Sequence, residues 1–300
     1  MNKPQSVWAI CLLLLLPVVH TQATTPAELA SDKKITRSRL LATGGASTIE
    51  GSAGGGIVPM AVLSGYAAQE EQSAAAFASY VDTGDYQLEV VGGSWSWRNR
   101  LELSIAQQKL THDSLTAALS LPTDSISQRI IAAKVRVAGD LIYTPMPQLS
   151  IGVQHKKNLD FLVPAAVGAK HDSGTDINLS ATKLILGGFF NRNLLLNGNL
   201  RYTKANQTGL VGFGGDKNNS YELLPELSAG VLVNRHWLVG TEYRQKPDNL
   251  SFIKEDDWQT VFVGWFPNKR IALVAAWVDL GEVATFKDQT GWYLSLQGSF

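Results

Sequence analysis

The 300-residue chain carries 26 basic and 26 acidic groups, and this formal charge of zero excludes the strongly positive face that a nucleic-acid binder needs. A single cysteine, Cys11, excludes a disulfide framework and a thiolate metal site. Eight Trp and eight Tyr supply many amphipathic rings, which suit boundaries between apolar and wet surroundings.

Residues 1–23 read as a cleaved signal peptide: Lys3 gives a positive start, 7–19 is an apolar core, and Thr21-Gln22-Ala23 offers small residues for cleavage. The alternative, a retained anchor, is disfavoured because the apolar run is shorter than the ~20 residues of a spanning helix. Cys11 leaves with the signal, and no cysteine stands at the cleavage point for a lipid anchor.

Beyond residue 23 no continuous apolar run is long enough for a helical span, and the recurring signal is period two. Leu101, Leu103 and Ile105 oppose Glu102, Ser104 and Gln108; Ile131, Ala133, Val135 and Val137 oppose Lys134, Arg136 and Asp140. The same alternation runs through 149–156 and 194–203. At the end of the chain Trp292, Leu294, Leu296, Gly298 and Phe300 share one parity, while Tyr293, Ser295, Gln297 and Ser299 fill the other. A water-soluble sandwich and a membrane barrel both produce such patterns. Length favours the barrel, because several runs reach the ~9–11 residues that cross a bilayer as a tilted strand.

Strands are predicted near 57–67, 74–82, 86–97, 100–110, 129–143, 148–157, 176–187, 194–204, 221–233, 236–246, 257–266, 270–280 and 290–300. Their connectors alternate long and short, as barrels with short periplasmic turns and long outer loops do, and only the Asp82–Asp85 turn breaks the rhythm. Four short links carry Asn before a base: Asn99-Arg100, Asn191-Arg192, Asn234-Arg235 and Asn268-Lys269. Asn suits the left-handed conformation of a tight hairpin. Two periplasmic ends demand an even strand count, so either 37–49 adds a fourteenth strand or one weak segment is not a crossing and twelve remain. The fold class expected is an all-β, transmembrane, antiparallel up-and-down β-barrel of about 12–14 strands, with 24–36 as a periplasmic extension and 37–300 as the barrel. The last strand then pairs with the first, because hydrocarbon cannot satisfy an open edge.

The stretches LLATGGASTIEGSAGGGIVP (40–59), YVDTGDYQL (80–88), GVQHKKN (152–158), TKANQTGLVGFGGD (203–216), EYRQKPDNLSFIKEDDW (242–258), WFPNK (265–269), WVDLG (277–281) and GWYLSLQ (291–297) carry a resemblance to a family of Gram-negative proteins catalogued as domain of unknown function 3034. The resemblance spans nearly the whole chain after the signal and implies an exported, outer-membrane protein; it implies no substrate. An aromatic C-terminus with alternating apolar residues also resembles the signal read by the barrel-assembly machinery, making Phe300 its key residue. Segments 205–220 and 247–256 fall in expected outer loops, where such scaffolds carry function.

Ionisable residues of inward parity are Glu102, Lys134, Arg136, Asp140, Lys156, Arg201, Glu226, Glu242 and Arg244. They suit either a network that fills the tube with charge pairs or a polar conduit. His155 and Lys157 have outward parity near a rim, facing either lipopolysaccharide phosphates or water. GSAGGG (51–56) lacks the ending of a phosphate loop and reads as a flexible link or as close backbone packing, and no His or acidic spacing marks a metal or cofactor site. Trp95, Trp97, Trp237, Trp258, Trp265, Trp277 and Trp292 lie toward strand ends, as an aromatic girdle would. Pro225 inside a strand predicts a bulge or a later start, and Lys183 on an apolar parity predicts a register change or snorkelling.

The functional expectation is a pore or passive transporter for small solutes in the outer membrane. Two alternatives stand beside it: a non-conducting structural or surface-interaction barrel with a charge-filled lumen, and, third, a lipid-modifying enzyme using His155, for which no serine elbow is present. Expected partners are outer-membrane lipid and lipopolysaccharide, the assembly machinery and a small solute, with no nucleic acid and no cofactor.

Overall fold

The computed structural model describes residues 39–68, 71–119, 123–283 and 285–300. The expected signal segment and extension lie outside them. A small hairpin, β1 (Ala46–Ser47) with β2 (Ala53–Gly54), precedes twelve long strands. These are β3 (Gln72–Asp82), β4 (Gln87–Trp97), β5 (Leu101–Thr111), β6 (Ser125–Ala138), β7 (Gln148–Asn158), β8 (Ser173–Phe189), β9 (Arg192–Thr203), β10 (Glu222–Leu232), β11 (Trp237–Arg244), β12 (Trp258–Asn268), β13 (Ile271–Asp279) and β14 (Thr290–Ser299). Each pairs antiparallel with its chain neighbour, and β14 pairs with β3 to close the barrel. The seam is continuous from Trp292↔Asp82 to Ser299↔Ala75, and Phe300 exchanges both backbone hydrogen bonds with Ala74. Closure leaves no strand edge facing hydrocarbon.

Alternation sorts side chains as a bilayer requires. Val91, Leu103, Ile105, Ile131, Val153, Leu179, Leu227, Val261 and Leu294 are exposed on the outer wall, while their neighbours point inward. Aromatic rings flank this belt at both ends: Trp95, Trp97, Trp237 and Trp265 near the end bearing Phe300, and Tyr80, Tyr202, Trp277 and Trp292 near the other. Trp258 departs from the expected girdle. It is buried in the lumen, beneath Arg244 and Lys246 at 5.7 and 4.7 Å.

Turns at the Phe300 end are short except for the link 139–147, longer than the expected 145–147; loops at the other end carry α1 (Asp113–Leu119), α2 (Leu162–Ala166) and the 3-10 turn Asn206–Gly209. The Asp82–Asp85 turn simply joins two strands at the loop end, so it interrupts the length pattern without breaking the topology. Two of the four Asn links form left-handed hairpins, with φ 50° at Asn99 and 58° at Asn191. The other two use their side chains instead: Asn234 Oδ1 accepts the N–H groups of His236 and Trp237, and Asn268 Oδ1 those of Arg270 and Ile271.

Strands expected at 37–49 and 57–67 are absent from the wall. From Ala46 to Ala67 every residue is buried, because this stretch runs through the lumen. A chain enclosed by protein on all sides needs no polar face, which fits the near-continuous apolar run Ile57–Leu63. The strand expected over 129–143 stops at Ala138, after which Gly139 (φ 72°) turns the chain. Pro225 causes no bulge. Its carbonyl accepts Gln245 N–H beyond the last pair of β10 and β11, so its missing donor faces the end of that ladder. Lys183 snorkels to the carbonyls of Asp140, Ile142 and Thr144 while the register around it stays regular.

Candidate functional site in the barrel lumen

The luminal segment enters from the Phe300 end, reaches its deepest point at the β1–β2 turn, and returns to β3. Wall side chains hold it by its backbone at every level. Near the Phe300 end Glu102 accepts Ala53 N–H (3.1 Å) and Ser64 N–H (2.6 Å), while Lys134 Nζ donates to the carbonyls of Ala53 (2.9 Å) and Val62 (3.1 Å). Lys134 and Glu102 also pair at 3.4 Å. Further in, Glu242 accepts Gly56 N–H (3.0 Å) and Ile57 N–H (2.9 Å), while at the Phe300 end Gln148, the first residue of β7, donates to Ala61 O. The glycine run has a reason here: a Cβ on Gly55 would lie 2.1 Å from Glu242 Oε1. Charge-assisted hydrogen bonds are about twice as strong as neutral ones, so four carboxylate-to-amide bonds are a firm grip.

At the tip of the hairpin Glu50 meets three cations from three wall strands: Lys156 of β7, Arg201 of β9 and Arg244 of β11. Arg201 reaches it through Nη2–Oε2 (2.8 Å) and Nη1–Oε1 (3.3 Å), and Arg244 through Nη2–Oε1 and Nη1–Oε2, both 3.1 Å. The wall adds two acids. Asp176 lies 2.6 Å from Lys156 and 3.2 Å from Arg201; Glu226 lies 2.6 Å from Arg201 Nε and 3.1 Å from Arg244 Nε. All six side chains are buried, and three positive charges balance three negative ones. Unpaired, any of them would cost several kcal/mol in this environment, roughly 3–5 on removal of a partner.

The loop between β9 and β10 closes the lumen from the opposite end. Asn206, Gln207, Thr208, Leu210 and Phe213 are buried, with Gln207 and Thr208 in the left-handed region (φ 43° and 63°). Both carboxylate oxygens of Glu255 accept Gln207 N–H, and Lys246 Nζ donates to Gln207 Oε1 (2.9 Å) and pairs with Glu255 at 3.4 Å. Burial pushes the Glu255 carboxyl up and the Lys246 ammonium down, so their contact only partly offsets the cost of leaving water. Thr208 O accepts from Lys156, which ties this loop to the network around Glu50. Voids among the described residues include a cavity of about 30 Å³ toward the Phe300 end, one of about 50 Å³ toward the loops and one of about 10 Å³ beside Glu102 and Lys134. Each is room for a few water molecules at most.

Seven of the residues read as luminal from parity therefore meet in the barrel: Glu102, Lys134, Lys156, Arg201, Glu226, Glu242 and Arg244. Arg136 and Asp140 instead sit half-exposed at the Phe300-end rim, paired at 3.3 Å, because the strand ends before Asp140, which caps the turn through Ile142 and Tyr143 N–H. His155 and Lys157 are exposed on the outer wall; the His155 ring meets Thr175 Oγ1 at 3.0 Å and Lys157 faces Asp172 at 3.7 Å. Sequence reasoning missed Glu50 and Asp176. Asp176 sits on the parity of Asn178 and Ser180 and was legible; Glu50 belongs to a segment assigned to the wall or to a flexible link.

This architecture defines a membrane-spanning β-barrel whose lumen is filled by its own chain. The chain belongs to the family described as "Protein of unknown function (DUF3034)", which matches residues 43–297. Among solved structures it is similar to the outer membrane protein Omp33 of Acinetobacter baumannii (10% identity, 77% of this chain and 98% of that one, TM-score 0.44). It is also similar to the KdgM porin (9%, 76% and 99%, TM-score 0.44) and the NanC porin (6%, 76% and 98%, TM-score 0.44). A search of curated proteins finds no match.

Proposed function

We propose that this protein is an outer-membrane conduit for small solutes that is shut at rest by its own luminal segment. The observation that carries this reading is the burial of Ala46–Ala67 inside a closed barrel, gripped by side chains rather than merged into the sheet. Strand pairing would make the segment a permanent part of the wall; hydrogen bonds accepted by Glu102 and Glu242 and donated by Lys134 leave it separable. In this reading Phe300 serves as the assembly signal, and His155 and Lys157 meet lipopolysaccharide phosphates at the outer rim.

Planar-bilayer conductance tests it. The parent protein is expected to stay closed for most of a recording. The Glu102→Ala/Glu242→Ala variant loses four backbone grips, each worth about 1.5–3 kcal/mol, and its open fraction should rise well beyond tenfold. Steady current through the parent would contradict the closed state. Silence in a folded, inserted variant would reject the conduit and leave the non-conducting structural barrel, the reading favoured by the balanced charges around Glu50.

A further inference from the structure

We infer that the Lys156–Arg201–Arg244 cluster is a binding site of the wall for a small apolar carboxylate, and that Glu50 is its tethered occupant. The inference rests on the conduit reading, in which the luminal segment leaves its place. The three cations come from the wall alone, and the luminal segment supplies one charge, Glu50, and one carbonyl, that of Ile57, which accepts from Arg244 Nη1 at 3.2 Å. Without Glu50 the cluster holds Lys156, Arg201 and Arg244 against Asp176 and Glu226, one positive charge in excess. A single monoanion restores the balance.

Geometry narrows the ligand further. Both terminal nitrogens of each guanidinium face the Glu50 carboxylate, giving two forks on one pair of oxygens, a match for a planar carboxylate rather than for a spherical anion. Asp176 and Glu226 hold the remaining edges of Arg201, and Glu226 holds Nε of Arg244, so both forks are aimed before any ligand arrives. Beside the cluster lies the 50 Å³ cavity, lined by Ile57, Leu88, Leu210, Trp258, Val278 and Tyr293 among others. Trp258 joins the two regions, lining the cavity while carrying Arg244 over its ring. Ile49 and Ile57, which narrow the cavity, belong to the luminal segment and would leave with Glu50. What remains is a carboxylate clamp opening onto an apolar, aromatic-walled space, fitted to a head group with a small ring or branched alkyl body.

The full-length Ile49→Ala/Glu50→Ala variant vacates the clamp and widens the cavity at Ile49, with Ile57 retained. Folded in detergent, it should show a saturable rise in melting temperature with millimolar benzoate, a smaller rise with acetate and none with benzamide. The parent should respond to none of them, and adding Arg201→Met should abolish the response. A folded variant indifferent to benzoate would overturn the inference. If the variant folds poorly, its refolding yield in benzoate against benzamide reads the same site, and equal yields, including none, overturn it. Binding is measured without current, so a benzoate response in a barrel that never conducts would keep the site and reject the conduit.

Discussion

Gly55 and Glu242 show how closely the luminal segment is fitted. The carboxylate reaches two amides because no side chain stands between, and a methyl group on Gly55 would collide with it. Gly55→Ala is expected to cost about 1–3 kcal/mol in thermal unfolding, as overpacking does. Combined with Glu242→Ala the cost should be less than additive, since the clash and the grip are one contact. A second residue-scale test concerns Lys246 and Glu255, buried together at the loop end of the barrel. Lys246→Met strands a buried carboxylate and should destabilise by about 3–5 kcal/mol, while Lys246→Met/Glu255→Gln should recover most of it, because an amide oxygen still accepts Gln207 N–H.

Among the elements, the strands announce themselves because a wall strand has two solvents. Ile131 and Lys134 cannot exchange faces without placing a charge in lipid, so parity was readable directly, and the chain end from Trp292 to Phe300 closes the barrel as its pattern requires. Prolines and turns were legible in kind but not in detail. Pro225→Val should change stability by less than about 1 kcal/mol, since the absent N–H faces the end of a ladder. Asn99→Val should cost about 1–2 kcal/mol, because a β-branched residue resists φ 50°. Asn234→Asp should be nearly neutral, as its Oδ1 is what caps the turn. Chemical or thermal unfolding of each variant checks these values.

At the scale of the whole molecule, the barrel was legible and a charge-filled lumen stood among the expectations, but the chain segment inside it was not legible. Period two identifies a chain between lipid and lumen, but 46–67 lies wholly inside and does not follow it. The physical clue was charge: Lys156, Arg201 and Arg244 point inward on three wall strands with only Asp176 and Glu226 near them, and the anion they lack is Glu50. The central claim, a lumen occupied by the protein's own segment, is tested most directly by disulfide trapping in native membranes. Ser64 and Ser94 link segment to wall with their hydroxyls 2.8 Å apart, and Ser79 and Ser295 link β3 to β14 at the same distance. Mild oxidation should cross-link Ser64→Cys/Ser94→Cys as completely as the seam pair Ser79→Cys/Ser295→Cys. A seam that cross-links while the segment pair stays reduced would show an empty barrel and contradict the account.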